Sequence, residues 1–246
     1  MGLIAAGFGC LSIAGARAEL LAWWPLDTAE TPPGRDAAPG GRIPLVFRSG
    51  AGELVQGREP GKLAWSTAGV DFASQATFPF TPAFSFAAWV RRDAGAGAGQ
   101  METIARLGER NSAGWAVYVG DNGNWTVYAY GSQTRRLDSR VAAAPGVWTH
   151  LVVTFSPVGA AESGAETAGK LCLYVNGQLT NQGEFRIGAG EATAPLMLGA
   201  RYVKGATSWP FTGQLGQVAV WDEPLPPSVV ADLAKGVSPG RATGPR

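Results

Sequence analysis

Histidine is almost missing from this chain of 246 residues: His150 is the only one. Cysteine is nearly as scarce, with Cys10 and Cys172 alone. So few imidazoles and thiols exclude a closed zinc site, which draws on three or four such ligands. Charge is sparse as well. Charged residues make up 16% of the chain, and 20 Lys and Arg against 19 Asp and Glu leave a net charge of +1. Without a basic stripe or an acidic block, bulk electrostatics offers nothing to nucleic acid or to an anionic membrane. Beyond the N-terminal stretch no apolar run approaches the roughly 18 residues of a transmembrane segment, and no repeat of fixed period is visible.

What is abundant is turn chemistry and aromatic bulk. The 35 glycines and 17 prolines point to many turns rather than long helices, and nine tryptophans with ten phenylalanines suffice for a sizeable core. Residues 1–18, "MGLIAAGFGCLSIAGARA", read as a signal peptide. Their apolar run ends in Ala16-Arg17-Ala18, an A-x-A site before Glu19, although no Lys or Arg precedes the run. The expected product is secreted, periplasmic or displayed at the cell surface. Cleavage leaves Cys172 as the sole cysteine, so no intramolecular disulfide is expected, only a small packed side chain on a strand.

The rest of the chain has the periodicity of strands. "FSFAAWVRR" (84–92), "GWAVYVG" (114–120), "NWTVYAY" (124–130), "WTHLVVTF" (148–155), "KLCLYV" (170–175) and "GQLGQVAVW" (213–221) are short, apolar and rich in aromatic or β-branched residues. Asp121-Asn122-Gly123-Asn124 and Asn176-Gly177 supply the positive φ angles of tight hairpins. One helix is expected over 226–236, opened by Pro226-Pro227 and stopped by Gly236. The fold class is therefore all-β: an antiparallel jelly-roll β-sandwich with one short C-terminal helix over residues 19–236, followed by a flexible tail, 237–246.

Several segments in order resemble the LamG-like jelly-roll family of the concanavalin A-like lectin/glucanase superfamily. They are "LLAWWPLD" (20–27), "GKLAWSTAGVDFAS" (61–74), "FPFTPAFSFAAWVRR" (78–92), "GVWTHLVVTF" (146–155), "GKLCLYVNGQL" (169–179), "LMLGAR" (196–201) and "PFTGQLGQVAVWDEPL" (210–225). The resemblance runs over about residues 20–236 and implies the fold. It does not choose a function, since the superfamily holds lectins, glycosidases, polysaccharide lyases and adhesive modules.

The catalytic signatures that the resemblance would bring are missing. Glycosidases of this superfamily carry E-x-D-x-x-E on one strand, because acid and base or nucleophile must flank the scissile bond. The nearest carboxylate pairs here are Glu162/Glu166 in a Gly/Ala-rich loop and Asp222-Glu223 after the last strand. The lyase-like pattern R-x-E-x-R is matched only by "RLGER" (106–110), where Arg106 and Glu109 are three apart, and "GQV" (216–218) leads into Ala219 rather than histidine. No catalytic residue is assigned. A diverged polysaccharide-degrading enzyme and a purely structural or adhesive module remain the alternatives.

No cofactor is expected. A structural calcium, common in related modules, would draw on Asp27, Glu30 and Asp36 after the first strand. The last strand reads Leu215-Gly216-Gln217 where the family's I-D-E carries carboxylates, and Asp36 is expected to be a solvated turn residue.

Recognition of a glycan or an extracellular protein is thus the leading expectation. Alternation puts Trp125, Val127 and Ala129 on the core face of one strand, and Asn124, Thr126, Tyr128 and Tyr130 on the other. Tyr118 extends that row, and Arg201, Tyr202, Lys204 and Trp209 lie near the start of the last strand. Aromatic faces suit the C–H face of a sugar while polar groups fix its hydroxyls. The expected ligand-binding residues are Tyr118, Asn124, Tyr128, Tyr130, Arg201, Tyr202 and Trp209. Asn124-Trp125-Thr126 is also a glycosylation sequon. Trp24, Trp65, Trp89, Trp148 and Trp221 are assigned to the core, and His150 to a structural, hydrogen-bonded place on its strand.

Overall fold

A computed structural model describes residues 18–27, 34–47, 53–67, 73–79, 81–97, 99–108, 113–159, 166–188, 193–203 and 206–242. Residues 1–17 and 160–165, Glu30 and Glu109 lie outside them. The strands in chain order are β1 Leu20–Trp24, β2 Val46–Phe47, β3 Glu53–Gln56, β4 Leu63–Ser66, β5 Ala73–Pro79, β6 Phe84–Arg92, β7 Glu102–Leu107, β8 Trp115–Val119 and β9 Asn124–Ala129. There follow β10 Arg135–Ala142, β11 Trp148–Pro157, β12 Thr167–Val175, β13 Gln178–Ile187, β14 Thr193–Leu198, β15 Arg201–Val203, β16 Ala206–Ser208 and β17 Gly213–Trp221. Two short helices close the chain, α1 Pro227–Ala234 and α2 Pro239–Ala242.

The strands form two antiparallel sheets, the jelly-roll sandwich expected from the sequence. An eight-stranded sheet runs β13-β12-β11-β6-β17-β4-β3 with β1 also on β17; a seven-stranded sheet runs β10-β9-β8-β7-β14-β5-β2. The small hairpin β15-β16 stands apart. The inner faces meet in one core that holds Trp24, Trp65, Phe86, Trp115, Trp125 and Phe155. Phe84 stacks on Trp115 with ring centroids 5.0 Å apart, tying one sheet to the other. Truncating one such buried indole to alanine costs roughly 3–5 kcal/mol.

Local chemistry explains the joints. Asn176 and Gly177 adopt φ of 51° and 80°, the conformation a two-residue hairpin between β12 and β13 demands. Pro226, extended at φ −67°, precedes Pro227 at the start of α1, where no amide donor is missed, and Gly236 at φ 95° ends the turn that follows. The helix lays Val230 and Leu233 on the outer face of the eight-stranded sheet, against Ala87, Val152, Tyr174 and Trp221.

β17 changes partners along one edge. Its start pairs with β4, through Gln214 with Ser66 and Leu215 with Trp65; its end pairs with β1, through Val218 with Trp24. Gln217 sits at the changeover, with φ 51° and its amide donating to the Pro25 carbonyl at 2.8 Å. The sheet is therefore split just outside this residue, and the split shapes the outer surface.

Two expectations need correction. Residues 239–242, placed in a flexible tail, form α2 instead; Pro239 is buried and Gly240 lies against the Trp23 ring, so β1 gives the turn a surface to pack on. Cys172 is buried on β12 as expected but disulfide-bonded rather than isolated, with its partner outside the described residues.

Candidate functional site

The outer face of the seven-stranded sheet carries the predicted tyrosines. On β9, Trp125, Val127 and Ala129 enter the core, which turns Asn124, Thr126 and Tyr128 outward as alternation required. Tyr118 pairs with Thr126 across β8-β9, and Ala116 stands between Arg106 on β7 and Tyr128 on β9. The small Ala116 leaves space that larger neighbours fill. Arg106 is fully buried there. Its Nη1 donates to the hydroxyls of Tyr118 (3.3 Å) and Tyr130 (3.1 Å), its Nε donates to the Gly108 carbonyl (2.7 Å), and the two hydroxyls are 2.9 Å apart. The guanidinium also lies 4.5 Å from the Tyr130 ring centroid. Burial first, and then the Tyr118 hydroxyl, push the Tyr130 phenol well above its ordinary range, so it stays a neutral donor.

Tyr118 and Tyr130 are accordingly only 0% and 3% exposed. They form the floor of this surface and do not themselves face solvent. Alternation told which face they occupy; it carried no information on what covers that face. The cover includes Trp209, just after β16, whose ring meets Tyr118 edge-on at 6.0 Å. The Trp209 carbonyl accepts from Thr103 of β7 at 2.8 Å, and Arg201 holds its guanidinium 4.7 Å from the indole centroid. Trp209 takes φ 50°, a left-handed conformation that is a genuine outlier for a bulky residue. Arg201 Nε has no hydrogen-bond partner.

Of the predicted residues, Tyr128, Arg201 and Trp209 come together as half-buried groups around that floor. Tyr128 meets Tyr118 edge-on at 5.4 Å and stacks with Tyr130 at 6.3 Å. Asn124 is half-buried too, but its amide donates to Asp138 Oδ1 at 3.0 Å, beside Asn122 on Oδ2 at 2.6 Å. Although burial acts the other way, the bonds from Asn122, the Arg140 amide and Asn124 hold the Asp138 carboxyl below its ordinary range. Asn124 thus braces the β9-β10 edge. The side chains of Tyr202 and Lys204 lie outside the described residues. Arg106 was missed as a member, because its motif was weighed only against a lyase pattern.

The opposite outer face holds a cavity of about 320 Å³ that sequence reasoning did not find. Its floor is a lateral row of the eight-stranded sheet, His150 beside Trp89 beside Gly216, over the split at Gln217. Trp23, Trp148, Arg58 and the α1-α2 link stand around it. Trp89 and Trp148 are half-buried cavity walls, which corrects their assignment to the core. Both end on the outer face because the inner face at those positions belongs to Ala88, Val90 and Leu151.

His150 is 3% exposed and its backbone amide donates to Asn176 Oδ1 at 2.9 Å. Its side chain is not hydrogen-bonded as expected: Nδ1 has no partner, and the ring leans on Trp89 at 4.9 Å. Burial, aided by the nearby Arg58 charge, pushes the imidazole pKa down to about 3. It is neutral at physiological pH and offers one donor and one acceptor.

The acidic candidates have structural employment. Asp36 is 5% exposed rather than solvated: Oδ1 accepts from the amides of Trp23 and Ala38, both at 2.9 Å, and Oδ2 accepts from Ile43 at 3.1 Å. It organises the loop by standing in for a strand partner, a role of Asx side chains. Asp27 accepts from Gln217 Nε2 at 3.0 Å. Asp222 accepts from the Glu19 amide at 2.7 Å, while burial and then the Asp222 charge raise the Glu223 carboxyl. Among the described residues no group of three or more His, Cys, Asp or Glu converges as a metal site.

Comparison with known proteins bears on this architecture. No curated protein sequence matches the chain. Among solved structures, domain 4 of AbnA, a GH43 extracellular arabinanase from Geobacillus stearothermophilus in complex with arabinotriose, has a TM-score of 0.68 at 20% identity, over 89% of this chain and 100% of that one. The binding domain of Paraclostridial Mosquitocidal Protein 1 has a TM-score of 0.62 at 14% identity, over 89% and 52%. The receptor binding domain of botulinum neurotoxin type G has a TM-score of 0.60 at 10% identity, over 88% and 51%, so this chain spans about half of each toxin domain. At such identities these likenesses concern the fold alone. Residues 65–231 match the family model Laminin_G_3, described as concanavalin A-like lectin/glucanases superfamily. With two antiparallel sheets in jelly-roll order and a family match over most of its length, the chain belongs to the concanavalin A-like lectin/glucanases superfamily.

Proposed function

We propose that the chain is an exported recognition module whose work is to bind a carbohydrate, and that Trp209, Arg201 and Tyr128 form the contact surface. The observation that carries this reading is Trp209, a half-exposed indole in a left-handed backbone conformation. Strain of this kind persists only where surrounding structure imposes it, and it concentrates at binding sites. Here the Thr103 bond, the Tyr118 edge and the Arg201 guanidinium impose it.

The chemistry suits a sugar. An indole and a phenol supply apolar, polarisable faces, and Arg201 brings a half-buried guanidinium to the same surface. The buried Arg106–Tyr118–Tyr130 network beneath keeps these groups in place, so little ordering is needed on binding. The arabinotriose complex of the AbnA domain supports carbohydrate as the ligand class. The apolar run in residues 1–18, read as an export signal, supports export.

A glycan array probed with the full chain tests the reading, alongside Trp209→Ala, Tyr128→Ala and Arg201→Ala. Binding by the parent that falls about tenfold or more in the Trp209 variant supports it. Retention of full binding in all three variants removes the surface from consideration.

A further inference from the structure

The cavity on the eight-stranded sheet has three features that shape what it can hold. First, the His150 ring lines the cavity and makes no side-chain hydrogen bond, with its Nδ1 sealed inside the sheet. Second, Gln217 is held at φ 51°, with its backbone amide donating to the Pro25 carbonyl. Its Oε1 accepts from Trp23 Nε1 at 2.9 Å and its Nε2 donates to Asp27 Oδ2 at 3.0 Å, which fixes an amide and a carboxylate in the wall. Third, Gly216 leaves a hollow in the floor: a Cβ there would meet nothing nearer than 3.9 Å.

Size and charge narrow the occupant. About 320 Å³ lies at the lower end of the roughly 300–1,000 Å³ of small-molecule sites, room for one small ring and not for a chain. The nearby charges are paired, Arg58 with Glu59 and Lys62 with Asp27 at 3.9 Å, so an ionised ligand would find no uncompensated partner. Half-buried indoles at Trp23, Trp89 and Trp148 offer apolar surface between these polar groups. We infer that this cavity binds one neutral sugar ring, packed against the indoles and the His150 ring and hydrogen-bonded through Gln217 and Asp27. The site is on the sheet opposite Trp209 and shares no residue with that surface.

Such a ring could be a free monosaccharide or the end residue of a glycan, and the chemistry of recognition is common to both. His150, the only histidine in the chain, is a reporter inside the site. An untagged chain with isotope-labelled histidine and tryptophan is titrated with the methyl glycosides of glucose, galactose, mannose, N-acetylglucosamine and arabinose, and with matching trisaccharides. The expected result is a saturable shift of the His150 ring signals by at least one glycoside. It should weaken about tenfold or more in Gly216→Val, which fills the hollow, and in Gln217→Gly, which relieves the backbone while deleting the amide. A response to trisaccharides as well assigns the cavity to chain ends; a response to glycosides alone assigns it to the free sugar. If no sugar moves the His150 signals, or if Gly216→Val leaves the shift intact, the inference is overturned. Shifts confined to the Trp209 indole would overturn it while leaving the Trp209 surface standing.

Discussion

On the outer face of the seven-stranded sheet Arg106 is sunk beside Tyr118 and Tyr130, and guanidinium and hydroxyls bond one another. On the outer face of the eight-stranded sheet His150 is sunk almost as deeply, yet its Nδ1 bonds to nothing and the ring borders a cavity. Both faces bury a polar side chain among aromatic rings. The difference is whether the buried group is satisfied from within. A satisfied network stabilises and positions; a buried group left without a partner contributes no such brace.

The comparison can be broken most forcefully at Arg106. Replacement by Met strips two tyrosine hydroxyls of a charged donor in a buried site, and should cost about 3–5 kcal/mol in urea unfolding. A loss under about 1 kcal/mol would mean that the network holds little together.

His150 should show the opposite signature, a dependence on acid. Its folded pKa, about 3, lies below its ordinary 6.5, so below pH 6.5 the unfolded chain binds the extra proton. Stability therefore falls as pH drops through the window from 6.5 towards 3, by about 1.4 kcal/mol per unit. Thermal or urea unfolding of the parent and of His150→Phe between pH 7 and 4.5 isolates this contribution, because the carboxylates common to both cancel. The variant should lose roughly 2–3 kcal/mol less on acidification to pH 4.5. Parallel pH curves would contradict the burial of a neutral imidazole.

Smaller effects sharpen the contrast. Trp209→Gly removes a left-handed strain while deleting an indole, so stability should change by no more than about 1 kcal/mol although glycan binding falls. A large loss in melting would instead make Trp209 a structural lid. Gly216→Val should likewise stay within about 1 kcal/mol, since its side chain enters open space. Smallest of all is the response to calcium: the Asp36 oxygens already accept three backbone amides, and neither calcium nor chelator should move the melting midpoint. A calcium-dependent midpoint would show that the first loop holds an ion after all.

Legibility followed the physics of alternation. β6 and β17 stand at the residues their period-two patterns indicated, and the Asn176-Gly177 turn and α1 follow from Pro, Asn and Gly chemistry. Polar strands such as β10, "RRLDSRVA", and β13, "QLTNQGEFRI", were not read as strands, because half-exposed edge positions tolerate residues without a clear period. The facing of Tyr118, Tyr128 and Tyr130 was right, and their depth was not. Burial on an outer face depends on the distant β15-β16 hairpin, which local periodicity does not register. The cavity was invisible for the same reason, since it arises where β17 exchanges β4 for β1 beside the α1-α2 link. The left-handed Gln217 at that exchange has no signature of the kind a glycine would leave.

The central claim, recognition of carbohydrate at the Trp209 surface, is tested most directly by one paired measurement: glycan-array binding of the parent chain and of Trp209→Ala, with the fold of each verified by its melting midpoint. The account predicts defined glycans bound by the parent and lost from a variant that melts within a few degrees of it. A parent that binds no glycan, or a folded variant that binds as the parent does, would contradict it.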